Sequence, residues 1–293
     1  MPVGLPERVE LSEVPFFPQK DYQCGPAALA TVLADIGVKV TADDLLGQVY
    51  LPARHGSLQV EMLAAARRYG AVSYQLAPRF EDLLREVAMG NPVIVLQDYG
   101  VWPFSIWHYA VVAGYDYRKG EVLLRSGEKP RLAMPFAVLE YTWKESEYWA
   151  MVIVPPERIP ATANESDYLA AVAAMEHAGN PRAARHAYET FLQRWPDKLA
   201  ATIGLANSLY AMGELRETEL VLRRAAAIDP NSVAVLNNLA QTLSDQGQND
   251  EAMLLIERAS ALGGTLASVV QETKQLVLRR SNEGDARRAT PEK

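Results

Sequence analysis

The chain contains a single cysteine, Cys24, placed directly before Gly25 and Pro26. Residues 24–37, CGPAALATVLADIG, have apolar side chains at helical spacing, and a proline suits the first turn because its missing N–H costs nothing there. A cysteine at a helix N-terminus faces the positive end of the helix dipole, which lowers its pKa and favours the nucleophilic thiolate. The position predicts a thiol nucleophile, although an unpaired cysteine is more often a small buried hydrophobic residue.

A thiol nucleophile needs a base, and the chain has four histidines. His108 begins a strand-like segment, HYAVVAGYD. His55 lies in a predicted loop, and His177 and His186 lie in the helical second half of the chain. His108 is therefore the predicted general base.

The elements that must position these two residues are helices first and strands later. Thr41 and Ser57 are the predicted N-caps of the second and third helices. The order predicts an α+β domain with an antiparallel sheet. The predicted helices are 24–37, 41–50, 57–70 and 79–90, and the predicted strands are 71–77, 92–97, 107–116, 121–126 and 148–154.

The second half of the chain is helical and repetitive. Gly179, Gly213 and Gly247 recur every 34 residues, which resembles the tetratricopeptide repeat, with an ordinary helical bundle as the alternative. Such repeats stack into an all-α solenoid. The predicted segments are a Pro-rich linker 155–166, three repeats 167–264, a capping helix 265–280 and a disordered tail 281–293.

Three segments of the first half resemble bacterial papain-like cysteine peptidases that trim double-glycine leaders from bacteriocin precursors. The segments are PQKDYQCGPAALATVL, NPVIVLQ and WHYAVVAGYD. The resemblance covers residues 14–154, leaves residues 1–13 as an N-terminal extension, and implies a papain-like α+β fold. The leader specificity is not implied, because the transporter normally fused to such peptidases is absent from this sequence.

The resemblance also implies roles for individual residues. Cys24 matches the nucleophile and His108 matches the general base. Gln19 matches the side chain that helps to stabilise the oxyanion, with Gln23 as its competitor because the family usually places this glutamine nearer the cysteine.

The family orients its histidine with an aspartate on the following strand, and this chain departs from that pattern. Asp116 lies on the same strand as His108 and eight residues away, which is too far. Folding the hairpin brings Ser126 or the following glycine opposite the histidine. Ser126 is therefore expected at the orienting position, and the site is either a weaker Cys–His dyad or one that recruits Asp98 or Glu128.

Composition narrows the classes of partner. The net charge of −7 argues against a nucleic-acid partner, and one cysteine with four scattered histidines argues against a zinc site. No metal or cofactor is expected. No apolar run is long enough to span a membrane, and the first residues do not resemble a signal peptide. We expect a soluble cytoplasmic protein, or a protein of the bacterial cell envelope if an export or lipoprotein segment was removed.

Two functions follow from these observations. The first is a cysteine peptidase, or a related thiol acyl-transfer enzyme, acting on a peptide or protein presented by the repeats. The second is a catalytically weak peptidase-like domain that serves as a protein-binding scaffold. The aromatic segment 99–109, YGVWPFSIWHY, is expected to form one wall of the cleft, with packing of Trp102 and Phe104 against the core as the competing interpretation.

Overall fold

The computed structural model describes residues 3–19, 23–101 and 103–289, with side chains as far as residue 282. The chain divides into two compact units, residues 1–183 and 184–293.

The N-terminal unit is an α+β domain built on an antiparallel sheet, which confirms the predicted fold class. Its strands are β1 (Arg8–Glu10), β2 (Tyr50–Leu51), β3 (Gly56–Ser57), β4 (Val72–Gln75), β5 (Val93–Asp98), β6 (Trp107–Asp116), β7 (Glu121–Ser126), β8 (Lys129–Pro135) and β9 (Ala150–Val154). Its helices are α1 (Cys24–Asp35), α2 (Ala42–Val49), α3 (Gln59–Arg68), α4 (Phe80–Ala88), α5 (Phe136–Trp143) and α6 (Glu165–Glu176), with short 3-10 turns at 52–54 and 144–146.

Seven strands form the main sheet in the order β4-β9-β5-β6-β7-β8, with β1 also paired to β6. Every pairing is antiparallel. β2 and β3 form a separate two-stranded hairpin. The first residues of β6 therefore lie between the ends of β5 and β7, which places the side chains of three strands around His108.

The core between α1 and the sheet is formed by apolar residues at helical spacing in α1 and at alternate positions in the strands. Leu29 and Leu33 lie one helical turn apart on the buried face of α1. They belong to the same cluster as Ile94, Val111 and Met151, which are inward-facing positions on three neighbouring strands. Burial of a leucine side chain contributes about 2 kcal/mol, so this packing fixes the helix that carries Cys24.

The ends of α2 and α3 test the two predicted N-caps. Thr41 caps α2 through a reciprocal capping box with Asp44, as predicted. Ser57 does not cap α3, because it pairs with Tyr50 in the short hairpin and the helix begins after Leu58. The second prediction was wrong because the two-residue strand is too short to leave a pattern in the sequence.

Several further elements were not predicted. β1 lies within the residues expected to be an extension, and it continues the sheet by pairing with the second half of β6. β8 is an exposed edge strand, where Pro130 and Pro135 are tolerated because such a strand need not donate every N–H. α5 follows β8 directly and has no capping side chain.

The segment predicted as a linker is fixed to the N-terminal unit. The Glu86 carboxylate is fully buried and accepts hydrogen bonds from the backbone N–H groups of Ala161 and Thr162 and from the Thr162 hydroxyl. The Tyr168 hydroxyl on α6 donates to the carbonyl of Arg158. Because of these contacts, α6 belongs to the N-terminal unit, and the division between the units falls after residue 183 rather than within 155–166.

The C-terminal unit consists of helices, as the repeat pattern predicts. They are α7 (Pro181–Arg194), whose first three residues precede the division, and α8 (Leu199–Ala211), α9 (Leu215–Ile228), α10 (Val233–Asp245), α11 (Asn249–Leu262) and α12 (Ala267–Ala289). The last helix extends nine residues beyond the predicted capping helix, so the expectation of disorder from residue 281 was wrong as far as Ala289. Residues 290–293 lie outside the described residues.

Candidate active site

A cleft of about 1060 Å³ lies where the N-terminus of α1 meets the beginning of β6. Cys24 and His108 both line it, as do Gln19 and Tyr109. Its other walls are residues 54–59, 105–107 and 145–147, with Leu96 and Gly127. The structure therefore brings the two predicted catalytic residues to one cleft.

Cys24 is the first residue of α1 and is largely buried. Burial raises the pKa of the Cys24 thiol, and hydrogen bonding from the backbone of Tyr109, Gly25 and Cys24 itself offsets the rise only in part. The expectation of a lowered thiol pKa was wrong, because desolvation of the thiolate outweighs these backbone hydrogen bonds. The resting side chain is the neutral thiol.

His108 is held as a neutral imidazole. Burial lowers its pKa from 6.5 to about 4, because the charged form would lose its solvation. Nε2 lies 2.8 Å from the Ser126 hydroxyl oxygen, which leaves Nδ1 as the nitrogen available to a thiol. Among the described residues, no hydrogen bond joins Cys24 to His108. Catalytic hydrogen bonds are often long before substrate binds.

Ser126 lies at the end of β7, beside His108 as the hairpin predicts. Of the alternative acids, Asp98 accepts hydrogen bonds from the backbone N–H groups of Gly100 and Ile106, and so organises the loop after β5. Asp116 accepts from a backbone N–H in the turn after β6, and Glu128 is exposed in the turn after β7. The neighbour of the imidazole is therefore a hydroxyl group.

The two candidate oxyanion residues have different surroundings. Gln19 lines the cleft, and its side chain joins β6 to the turn after β7: Nε2 donates to the Tyr109 carbonyl (3.3 Å) and Oε1 accepts from the Gly127 N–H (3.0 Å). Gln23 is the N-cap residue of α1 without a capping side-chain bond, and it is not among the described residues that line the cleft. The second N–H of the Gln19 amide can serve a substrate oxygen.

Sequence reasoning missed two residues of β5 and its following loop. The Tyr99 ring stacks on His108, with ring centroids 5.1 Å apart. Its hydroxyl donates to Gln97 Oε1 (3.1 Å), and Gln97 is fully buried opposite His108 in the sheet. Burial raises the pKa of the Tyr99 hydroxyl, and the nearby Ser126 side chain opposes that rise in part. In the sequence, the signal that could have pointed to these residues is the polar Gln97 at the end of the apolar strand VIVLQ.

A second buried hydroxyl lies beside the nucleophile. Ser57 Oγ has no hydrogen-bond partner among the described residues, and it lies against the backbone of Gly25. A Cβ at Gly25 would lie 2.3 Å from that oxygen, so glycine is required for this approach.

The aromatic loop forms part of the cleft as expected. Ser105, Ile106 and Trp107 line it. Phe104 is 78% exposed, so its packing against the core, the competing interpretation, is wrong. Trp102 lies outside the described residues.

The C-terminal unit has a smaller cavity of about 140 Å³. Its walls include Asn207, Tyr210, Asn237 and Asn238, on α8 and α10. Asn237 is 7% exposed and its Oδ1 has no hydrogen-bond partner among the described residues. A buried amide oxygen without a partner is costly, and a ligand N–H would satisfy it.

Within the described part of the chain, no cluster of three or more His, Cys, Asp or Glu side chains could hold a metal ion. None of the described helices has the length and apolarity needed to cross a membrane.

Each of the two units of the chain contains a segment that matches a known protein family. Residues 11–145 match the Peptidase_C39 like family, and residues 209–265 match the tetratricopeptide repeat. The chain contains a peptidase C39-like domain followed by a tetratricopeptide repeat region. The C39-like match contains Cys24, His108 and Ser126, and the repeat match contains α10 and α11.

Solved structures resemble each part separately. A Bacillus anthracis protein described as a C39-like peptidase aligns at 19% identity and a TM-score of 0.44, over 51% of this chain and 98% of its own. The peptidase domain of Streptococcus ComA, a bifunctional ABC transporter in a quorum-sensing pathway, aligns at 18% identity and 0.40, over 49% and 99%. The Yersinia enterocolitica secretion chaperone SycD, in complex with a peptide of the translocator YopD, aligns at 13% identity and 0.37, over 40% and 92%. No curated protein matches the sequence.

Proposed function

We propose that the C39-like domain is a cysteine peptidase, or a related thiol acyl-transfer enzyme, with Cys24 as nucleophile and His108 as general base. The observation that carries the proposal is that both side chains line one cleft while Ser126 engages Nε2 of the imidazole. Nδ1 is thereby left for the thiol, which is the arrangement that base-assisted attack needs.

The reaction begins from two neutral groups. As the Cys24 sulfur attacks a peptide carbonyl, the thiol proton passes to His108 Nδ1 and the C=O electron pair moves to oxygen. The oxyanion accepts hydrogen bonds from the Cys24 backbone N–H and the Gln19 amide. Collapse breaks the C–N bond, His108 returns the proton to the leaving amine, and a thioester remains on Cys24. Water or an amine, deprotonated by His108, then releases the acyl group.

The neutral resting state has a kinetic consequence. Since the pKa of the thiol is raised and that of His108 is about 4, the thiolate–imidazolium pair is scarce before substrate binds. Proton transfer must therefore accompany attack on the carbonyl. Ser126 can orient the imidazole but cannot stabilise its charged form as a carboxylate does, so we expect slower turnover than an aspartate would give.

The repeat region is proposed to bind the peptide or protein that reaches the cleft. Tetratricopeptide repeats expose a concave surface that suits extended partners. The cavity between α8 and α10 offers the amide groups of Asn207, Asn237 and Asn238, and the free Oδ1 of Asn237 suits a backbone N–H. Holding a substrate there would raise its effective concentration at the cysteine.

The proposal is tested by incubating the protein with a peptide library and identifying cleaved or transferred products by mass spectrometry. Cys24→Ala should abolish turnover and leave the fold intact. His108→Ala should lower turnover by at least about a hundredfold, which is typical of a general base. Gln23→Ala is the matched control for Gln19→Ala, and only the latter should reduce turnover. Turnover that survives Cys24→Ala would refute the proposal.

The second candidate is a protein-binding scaffold with little chemistry. The observation that favours it is the raised pKa of Cys24 together with a serine at the orienting position. In that case peptides identified by binding would remain uncleaved, and their affinity would fall with Asn237→Ala but not with Cys24→Ala. Cleavage therefore distinguishes the two candidates: the first predicts turnover that Cys24→Ala abolishes, whereas the second predicts no turnover by the wild type.

A further inference from the structure

The cavity of about 140 Å³ in the C-terminal unit has uncharged walls. It is lined by residues of α8, α9 and α10. None of the described residues that line it is Lys, Arg, His, Asp or Glu. The polar groups are amides and hydroxyls, and Ala206 and Leu222 supply the apolar part of the walls. A ligand in this cavity must therefore be recognised by neutral hydrogen bonds.

A row of three asparagine side chains forms the polar part of α8 and α10 in this cavity. Asn237 Nδ2 donates to Asn238 Oδ1, and Asn238 Nδ2 donates to Asn207 Oδ1, each over 3.3 Å. Asn237 is 7% exposed, and its Oδ1 has no hydrogen-bond partner among the described residues. A ligand that brings an N–H would remove the cost of this buried acceptor. Since an NH₂ group carries two hydrogens, Asn237 Nδ2 also has a second one to offer.

The two threonines of the walls can only accept hydrogen bonds from a ligand. The Thr218 hydroxyl donates to the carbonyl of Glu214, and the Thr242 hydroxyl donates to the carbonyl of Asn238, each over 2.8 Å. A hydroxyl has one proton, so both protons are committed to the helices that carry them. The cavity therefore offers several acceptors for ligand N–H groups, with the amide of Asn237 as a donor for a ligand oxygen.

The charges behind the walls disfavour a charged ligand. Asp245 accepts hydrogen bonds from the Tyr210 hydroxyl and from Gln241 Nε2, two groups on residues that line the cavity. Arg280 forms an ion pair with Asp245. A carboxylate in the cavity would meet this aspartate without a cation of its own, and an ammonium group would find the aspartate already neutralised. Burial of either charge without a partner is costly.

The volume limits the ligand to one side chain. A water molecule occupies about 30 Å³ in the liquid, so 140 Å³ has room for roughly four or five non-hydrogen atoms. A carboxamide on two methylene groups, as in glutamine, is of this size. A backbone amide brings one N–H and could serve Asn237 Oδ1 alone, whereas a primary carboxamide brings two N–H groups and an oxygen.

We propose that this cavity binds the side chain of a glutamine in the partner peptide or protein and discriminates against glutamate. The glutamine NH₂ donates to Asn237 Oδ1 and to a threonine oxygen, its carbonyl accepts from Asn237 Nδ2, and its methylene groups pack against Leu222 and Ala206. The inference rests on the proposed function for the ligand being a peptide that the repeat region holds. It requires nothing of the cysteine.

The test is a titration of the ¹⁵N-labelled full chain with three small probes, followed through the side-chain NH₂ signals of Asn237. The probes are the N-acetyl, N-methylamide derivatives of glutamine, glutamate and leucine, which share two backbone amides and differ in the side chain. The glutamine probe should bind with a dissociation constant of about 1 mM, as expected for a ligand of this size. The glutamate and leucine probes should bind at least about tenfold more weakly, because each leaves a buried polar group unpaired.

Asn237→Ala should remove the preference for glutamine, with binding then followed through the Asn238 signals. Asn231→Ala is the matched control, because Asn231 is exposed before α10 and bonds to Arg258 outside the cavity. It should leave the preference unchanged.

Three results would each overturn the inference: equal affinity for the three probes, no binding of the glutamine probe up to about 20 mM, or a glutamine preference that persists in Asn237→Ala. If that variant does not fold, the comparison of probes on the wild type still decides. The titration involves no cleavage, so the inference can hold for a protein without turnover, and it can fail while turnover still depends on Cys24.

Discussion

The folded state should lose stability as the pH falls from about 6.5 to 4, because His108 is neutral in the fold. An unfolded histidine titrates near 6.5, whereas the folded pKa is about 4. Between these values the unfolded state binds more protons than the native state, so the free energy of unfolding rises with pH. A difference of about 2.5 in pKa, at about 1.4 kcal/mol per pKa unit, amounts to about 3 kcal/mol by pH 4.

The assay is urea unfolding at pH 7 and pH 4, followed by tryptophan fluorescence, for the wild type and His108→Asn. Trp143 and Trp149 are buried in the N-terminal unit and report its unfolding. Carboxylates titrate in both proteins, so the difference between their losses isolates His108. With an m-value of about 2 kcal/mol/M, the wild-type midpoint should fall by about 1.5 M more than that of the variant.

The comparison between the wild type and His108→Asn also provides the result that would refute this reasoning. The asparagine variant cannot be protonated, so it should be less sensitive to acid, whatever its stability at pH 7. If both proteins lose the same free energy between pH 7 and pH 4, His108 is not held neutral by burial, and the reasoning about the resting site is wrong.

Three further substitutions test other parts of the structure. Ser126→Asp should raise the pKa of His108 and accelerate iodoacetamide alkylation of the cysteine at pH 7 relative to Ser126→Asn; no change in rate would show that a carboxylate there does not reach the imidazole. Gly25→Ala should cost about 1–3 kcal/mol in urea unfolding, because its Cβ would lie 2.3 Å from a buried hydroxyl oxygen, whereas Gly47→Ala, in open space on α2, should stabilise by up to about 1 kcal/mol. Equal effects would contradict the packing described at α1. Glu86→Gln should destabilise the N-terminal unit by about 1–3 kcal/mol, since an amide cannot accept all of the hydrogen bonds made to the buried carboxylate; an unchanged midpoint would argue against that role.

The positions of the candidate residues could be predicted because they depend on local patterns. Proline in the first turn and the apolar spacing after it predict where α1 begins, and the hairpin brings Ser126 to His108. The 34-residue period likewise predicts the repeats without any knowledge of tertiary contacts. These features are determined within a few tens of residues of the chain.

The chemistry of the site could not be predicted, because it depends on contacts between distant segments. The pKa of Cys24 is raised by burial against the sheet. The position of a cysteine at the start of a predicted helix does not reveal how deeply it is buried. Tyr99 stacks on the imidazole only because it directly follows β5, which pairs with β6 in one register. Pairing between strands is specified by the whole core rather than by the strand itself.

The burial of Cys24 also determines how the protein responds to oxidants. Peroxides attack the thiolate, and reactivity follows thiolate content and exposure. We therefore expect slow oxidation to the sulfenic acid for a largely buried thiol with a raised pKa in the wall of a cleft. The sequence has no second cysteine that could convert a sulfenic acid into a disulfide within the chain. Slow oxidation is therefore what protects the sulfur. The same desolvation that makes Cys24 a poor thiolate at rest thus preserves it in the reduced state.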